Sequence, residues 1–464
     1  MSEAKDYFFC GVGGSGMLPL AMILAAQGDS VAGSDRALDQ GRSGPKFEYL
    51  KAAGVRLFPQ DGSGISSAGQ ILVASAAVEE TVPDVAAAKA VGATRITRAE
   101  LLAKLFNGAP TPVGVAGTSG KSTTTGMIGW ILHHAGLGPT VMNGAVMKNF
   151  VGADAPFASA LAGEGDAFVS EIDESDGSIA TFDPKIAVLN NIALDHKSMD
   201  ELRALFRGFV DRAERAVLNL DNDETRAIAS ALGDKAITYS IEGAQADYAA
   251  SDIRPQPYGV SFTAVGRDGE RAEIDLKMPG RHNVSNALAA IAAAGAVGVK
   301  LQTSMEALND FDGVKRRLEY VGEAGGVTVI DDFAHNPDKI TASLNTLHEF
   351  PGRLLILFQP HGFGPLKKMQ AEFIETFASR LSEEDRLLLS PPAYFGGTVD
   401  RSVTHKDIAA GIEAAGRRVE ALASREGCAE RLLSLAKPGD RIVVMGARDD
   451  TLTTFAEDLL ARLR

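Results

Sequence analysis

The run Gly117-Thr118-Ser119-Gly120-Lys121-Ser122-Thr123 limits what this chain can be more than any other stretch of it. It follows the apolar residues Pro112-Val113-Gly114-Val115-Ala116, which read as a strand, and precedes Thr124 to Ala135, which read as a helix. A strand feeding a glycine-rich turn that opens a helix aims backbone N–H groups and the positive helix end at one point. Lys121 adds a charge for terminal phosphates, and the hydroxyl of Ser122 or Thr123 is a ligand type that suits Mg2+. The longer phosphate-loop spacing would put glycine at 115, where this chain has valine, so the match is to the shortened form Gly-x-x-Gly-Lys-Ser-Thr. An ordinary glycine turn with a surface lysine has no need of strand, glycines, lysine, hydroxyls and helix in this order. Residues 117–123 are therefore read as a site for ATP.

Composition narrows the class further. At 464 residues the chain has room for roughly two to four domains. A hydrophobic fraction of 45% can fill their cores, and 23% charged residues is ordinary for a soluble enzyme. The net charge of −14 argues against nucleic acid or an anionic membrane as partner. The only cysteines, Cys10 and Cys428, lie far apart and suggest no disulfide framework. The N-terminus lacks a basic-then-apolar signal region and no apolar run is long enough to span a bilayer, so a cytoplasmic location is expected.

The chain restarts its strand-turn-helix logic three times. Tyr7-Phe8-Phe9-Cys10 runs into Gly11-Val12-Gly13-Gly14-Ser15-Gly16 and a helix through Ala26, and a second strand, Ser30 to Gly33, ends at Ser34-Asp35. This is Gly-x-Gly-x-x-Gly after a strand, with an acid about twenty residues on. Alone it fits any nucleotide diphosphate, and an NAD-dependent oxidoreductase stays open, although hydride transfer has no use for a phosphate loop at 117–123. Turn formers from Phe106 to Pro112 suggest a link before the second segment. That segment carries apolar strands at 167–169, 186–189 and 216–219, a hairpin-like run from Tyr248 to Met278, and an alanine-rich helix from Asn283 to Ala296. The third opens at Val327-Thr328-Val329-Ile330. Strands alternating with helices imply α/β architecture, with ligands at the carboxyl ends of parallel strands.

Four further patterns follow in sequence. They are Ser170-Glu171-Ile172-Asp173-Glu174-Ser175-Asp176-Gly177-Ser178, Asn190-Asn191-Ile192-Ala193-Leu194-Asp195-His196, Pro279-Gly280-Arg281-His282-Asn283, and Lys315 to Glu319 ahead of Asp331-Asp332-Phe333-Ala334-His335-Asn336-Pro337. In this order, and over essentially the whole chain, they resemble the Mur ligases, the ATP-dependent amino-acid ligases of peptidoglycan synthesis. The resemblance implies three domains: a Rossmann-like UDP-sugar-binding domain at 1–108, a central P-loop ATPase-type domain at 109–313, and a C-terminal Rossmann-like amino-acid-binding domain at 314–464. It implies that ATP turns a carboxylate into an acyl phosphate, which an amine then attacks. Lys121, Glu171 and His196 would be catalytic, Ser122 and Glu171 would hold one Mg2+, and His196 would hold a second. Gly117, Thr118, Ser119, Gly120, Lys121, Ser122 and Thr123 would hold ATP with Asn283, Arg317 and Asp332, the nucleotide lying between domains that close on it. Asn283 can equally be the cap of the helix that starts there. Gly11, Gly13, Gly14, Ser15, Gly16, Asp35, His335 and His361 would face the other substrates.

A narrower likeness comes from Gly11 to Gly16 with Gly33-Ser34-Asp35, and from Phe358-Gln359-Pro360-His361. It points to the branch that acts on UDP-N-acetylmuramate, adding L-alanine or, in a recycling relative, a murein tripeptide. The chain departs from the alanine-adding pattern at Ser119, at Gly362-Phe363-Gly364-Pro365 after His361, and at Gly446 to Asp450. Lys197 directly follows His196 and no other lysine comes before Lys235, so the carbamylated lysine of several sister ligases has no counterpart. The amine is accordingly the most open part of the reading.

Overall fold

A computed structural model describes residues 4–42, 44–76, 78–194, 197–393, 400–447, 449 and 451–463. The chain forms two compact units. The first comprises the chain up to Ile253 with Ser261–Leu276 and Asn283–Val314; the second comprises Arg254–Val260, Lys277–His282 and everything from Lys315 on.

Two sheets build the first unit. One has the strand order Arg56–Phe58, Ser30–Ser34, Asp6–Cys10, Gln70–Ala74, Thr94–Thr97, all parallel. Its central strand is buried from Tyr7 to Cys10, as an apolar run covered on both faces must be. The strand order reverses direction at that strand, so the crevice where ligands collect opens at Gly11. The second sheet has ten strands, with Ile186–Leu189, Thr111–Ala116, Ala167–Glu171 and Thr140–Met142 adjacent in that order at its heart. These neighbours are parallel, so the loops that follow them emerge at one edge. At the far side, Tyr248–Gln256 and Gly259–Val265 are joined through Pro257 and Tyr258 alone. So short a link makes that pair an antiparallel hairpin.

The stretch that composition marks as a link is pinned in place. Helix Arg98–Asn107 ends there, with its start fixed by a reciprocal cap between Thr97 and Glu100. Phe106 is fully buried, meeting Phe168 and Phe182 edge-on at ring distances of 6.0 and 5.5 Å. Asn107 bonds Thr181 O and Asp183 N, each at 2.9 Å. One apolar core therefore runs from Phe9 and Leu24 of the first sheet through Phe106 to Phe168, Phe206 and Phe209 of the second.

The second unit carries a six-stranded sheet, ordered Glu319–Ala324, Val327–Asp332, Arg441–Gly446, Leu354–Gln359, Arg386–Leu389, Val419–Ala421. Its first pair is antiparallel across Gly325-Gly326, both at positive φ, and the rest are parallel. Apolar clusters cover both faces.

Two helices start earlier than the sequence suggests. The one expected from Thr124 spans Lys121–His134, because Gly120 turns at φ +83° and lets the lysine itself begin the helix. The one expected from Asn283 spans Arg281–Val297, following Gly280 at φ +97°. Asn283 therefore lies inside the first turn and is not the cap.

Candidate active site

The loop 117–123 leaves the carboxyl end of strand Thr111–Ala116, between the ends of Ile186–Leu189 and Ala167–Glu171. Asn191 holds it from one side: its Oδ1 accepts from Ser119 N–H at 3.0 Å and its Nδ2 donates to Ser119 O at 3.2 Å. Thr118 Oγ1 donates to Ala193 O at 3.1 Å and accepts from Ala193 N–H at 3.0 Å. Beneath the loop lies a buried amide cluster. Asn190 Nδ2 donates to Thr124 Oγ1 at 2.9 Å, Thr124 Oγ1 donates to Asn286 Oδ1 at 3.3 Å, and Asn286 Nδ2 donates to Asn283 Oδ1 at 3.2 Å. Asn283, expected to help hold ATP, is thus 2% exposed and tied to the floor of the phosphate loop. The asparagine doublet at 190–191 is a local sign of such a support, and Asn286 has none in the sequence.

The strand beside the loop delivers Glu171. Ser122 Oγ donates to its Oε2 at 2.8 Å, and Gly144 N–H donates to the same oxygen at 3.1 Å. A hydroxyl and a carboxylate at hydrogen-bond separation, both hard oxygen donors, fit a small divalent cation that keeps most of its remaining ligands as water or phosphate. Among the described residues no group of three or more His, Cys, Asp or Glu forms a metal cage. His196 lies outside the described residues.

The Lys121 side chain is 13% exposed, and its Nζ donates to Gly117 O at 2.6 Å and to Glu174 Oε2 at 2.9 Å. Burial works against its charge, but Glu174, then Glu171 and Asp173, outweigh it and hold the lysine pKa above its usual value. The ammonium is therefore secure, and Glu174, to which the sequence assigns no role, is its direct partner. Asp173 is held below the usual carboxylate range: burial opposes this, and Lys121 with the Ser175 hydrogen bonds prevails.

The first glycine loop is supported by its own acid. Asp35 Oδ2 accepts from Gly13 N–H at 2.9 Å, while Oδ1 accepts from Ala37 N–H at 2.8 Å and caps the short helix Arg36–Asp39. With each oxygen so engaged, Asp35 shapes the loop from below. Gly14 and Ser15 are exposed at its tip, and Gly16 is half-buried. Lys46, which carried no sequence signal, donates to Gly13 O at 3.2 Å.

In the second unit, the ends of neighbouring parallel strands gather the remaining residues. Asp332 is buried, accepting from Leu318 N–H at 3.2 Å and from the Ser343 hydroxyl. Of the arginine pair, Arg316 is the buried brace, bonding Asp331 at 3.1 Å and Gly446 O at 2.9 Å. Burial raises the Asp331 pKa to about 6, with Arg316 opposing that rise. Arg317, the expected ATP contact, is half-buried with its guanidinium 4.3 Å from the Phe333 ring centre. His335 and His361 stand edge to face at 4.8 Å, and His335 Nδ1 bonds Phe333 O at 2.8 Å. Burial, then Lys339 and His361, pushes the His335 pKa well below its usual value, leaving a neutral imidazole at pH 7.

A strand-loop-helix cradle with a lysine, a hydroxyl and an acid from the next strand is the arrangement of P-loop nucleotide-using enzymes. Three family models match: the Mur ligase family catalytic domain over residues 6–109, the Mur ligase middle domain over 115–294, and the Mur ligase glutamate ligase domain over 316–448. The UDP-N-acetylmuramate–L-alanine ligase of Desulfosudis oleivorans is 35% identical, with 99% of this chain and 98% of that protein covered. Its counterpart from Streptomyces avermitilis is also 35% identical, covering 98% and 97%. The chain belongs to the Mur ligase family and is an ATP-dependent ligase of three-domain architecture. Among solved structures, a UDP-N-acetylmuramate–alanine ligase from Thermotoga maritima shares the fold at TM-score 0.77 and 23% identity, covering 98% of both chains. A murein peptide ligase from Psychrobacter arcticus matches at TM-score 0.72 and 25% identity, covering 99% of both. The oxidoreductase reading of Gly11 to Gly16 falls with this membership. Among the described residues no helix is long and apolar enough to cross a membrane.

Proposed function

We propose that this chain joins L-alanine to the lactyl carboxylate of UDP-N-acetylmuramate in peptidoglycan synthesis, in the cytoplasm. One observation carries the chemistry: Ser122 and Glu171 meet at 2.8 Å beside a charged, half-buried Lys121 at the mouth of the phosphate loop. The backbone N–H groups of 117–123 and Lys121 hold the β- and γ-phosphates of ATP. A carboxylate oxygen of the sugar attacks the γ-phosphorus as ADP leaves, and the amine then displaces phosphate from the acyl carbon. Lysine stabilises the charge that spreads over the transferred phosphoryl oxygens. Ser122 and Glu171 would hold one Mg2+ and His196 a second, and this metal, when bound, would neutralise part of the same charge. Gly11, Gly13, Gly14, Ser15 and Gly16 receive the uridine diphosphate, shaped by Asp35. Asn283, Arg317 and Asp332 serve the nucleotide, and His335 and His361 the incoming amine. The domains are taken as 1–108, 109–313 and 314–464.

A second reading, that the amine is a murein tripeptide, draws on the altered residues Gly362 to Pro365 and on the likeness to the Psychrobacter ligase. The purified protein with ATP, Mg2+ and UDP-N-acetylmuramate, offered equal L-alanine and L-alanyl-γ-D-glutamyl-diaminopimelate, decides between them by product mass. L-alanine alone in the product supports the first reading, the tripeptide supports the second, and no phosphate release with either refutes both.

A further inference from the structure

A short acidic segment, Asp173 to Asp176, reaches a cation at each of the two glycine loops. Glu174 Oε2 is 2.9 Å from Lys121 Nζ, and Asp176 Oδ2 is 3.8 Å from Arg98 Nη2. Arg98 is placed by the Thr97–Glu100 cap at the first position of its helix. Its side chain lies against the first loop, since a Cβ on Gly16 would come within 2.8 Å of Arg98 Cδ and 3.4 Å of Nη1. One guanidinium therefore borders both the Gly11–Gly16 loop and the acidic segment.

The segment is stiffened by its own hydrogen bonds. Asp173 accepts from Ser175 N–H and Oγ, each at 3.0 Å, and Asp176 accepts from Ser178 N–H at 2.8 Å. Gly177, at φ +79°, turns the chain behind it. Glu174 and Asp176 are therefore carried on one braced turn. Each acts as an internal anion on a cation that a phosphate would otherwise claim, and a ligand at either loop must displace one of them. Because the two carboxylates share one segment, the first displacement lowers the cost of the second.

We propose that residues 173–176 couple the two loops: a diphosphate at Gly11–Gly16 draws Arg98 from Asp176, a triphosphate at Gly117–Thr123 draws Lys121 from Glu174, and filling either loop raises affinity at the other. This rests on the reading that both loops bind phosphate-bearing ligands. Linkage makes the effect reciprocal. The Arg98–Asp176 pair is 29% and 46% exposed, so its share is modest. An enhancement of about three- to tenfold is expected.

The test is calorimetry on the full chain with UDP-N-acetylmuramate and a non-hydrolysable ATP analogue in Mg2+. Each ligand is first titrated alone; failure of either to bind overturns the underlying site reading. The analogue is then titrated with and without saturating UDP-sugar. The wild type should show the stated tightening, and in Asp176→Asn it should fall to within about 1.5-fold while the UDP-sugar still binds alone. Glu174→Gln should bind the analogue more tightly than wild type in the absence of UDP-sugar, with coupling lost. A merely structural Glu174 would give weaker binding instead. Binding of both ligands without enhancement, enhancement retained in Asp176→Asn, or weaker analogue binding by a Glu174→Gln variant with unchanged circular dichroism would each overturn the coupling.

Discussion

The ion pair of Lys121 and Glu174 makes the lysine both a chemical group and a structural one. With side-chain exposures of 13% and 5%, removing either partner leaves the other stranded in a poorly solvated site. Lys121→Ala should cut phosphate release at least about a hundredfold. It should also lower unfolding free energy by up to about 3 kcal/mol, because Glu174 then sits unpaired. The double variant Lys121→Ala/Glu174→Gln should recover most of that stability in denaturant titration and none of the activity. Near-parent phosphate release by folded Lys121→Ala would remove the lysine from the chemistry. The lysine itself was plain in the sequence. Its partner was not, since an acidic run reads as a solvated loop until the fold shows which carboxylate turns inward.

His335 offers a test by pH. Its folded pKa is depressed by burial and by Lys339 and His361, so the unfolded chain binds a proton there before the folded chain does. Stability tied to this group is complete above about pH 6.5 and is lost as pH falls below it. The drop in Tm between about pH 7 and about pH 5.5 should be smaller in His335→Gln than in the wild type. An equal or larger drop would mean the imidazole is not held neutral.

The phosphate loop works as an element because its glycines leave no room for anything else. At Gly120, φ is +83°, and a Cβ would come within 2.4 Å of Asn286 Oδ1 and 2.7 Å of Asn190 Nδ2. Gly120→Ala should therefore push the loop off its amide floor and weaken binding of an ATP analogue at least about tenfold by calorimetry, with a lowered Tm. Unchanged affinity would show that this floor does not shape the site. Strand, loop and helix were legible here because glycine, lysine and apolar runs are local signals. The helix starts at Lys121, three residues before the sequence suggests, since serine and threonine after the lysine look like turn residues when the packing around Gly120 is unseen. Asn286, far along the chain, gives no local sign that it belongs beneath the loop.

For the whole molecule, the three restarts of strand, turn and helix were readable, and the continuity between the first two was not. Gly108-Ala109-Pro110 has the composition of a hinge, and nothing in sequence reveals that Phe106 just before it is buried against Phe168 and Phe182. Phe106→Ala should cost about 3–5 kcal/mol in denaturant unfolding. Because Phe106 ties the two sheets together, its loss should also split one unfolding transition into two; a single transition of unchanged midpoint would show that the shared core is not what joins them.

That shared core has a bearing on catalysis. The first glycine loop and the phosphate loop grow from sheets fastened to the same aromatic pillar, so the gap between the two loops is set like the jaws of a fixed gauge. Phe106, a residue with no catalytic chemistry, is then part of the calibration. Its replacement would show up as slower turnover at nearly unaltered substrate affinity.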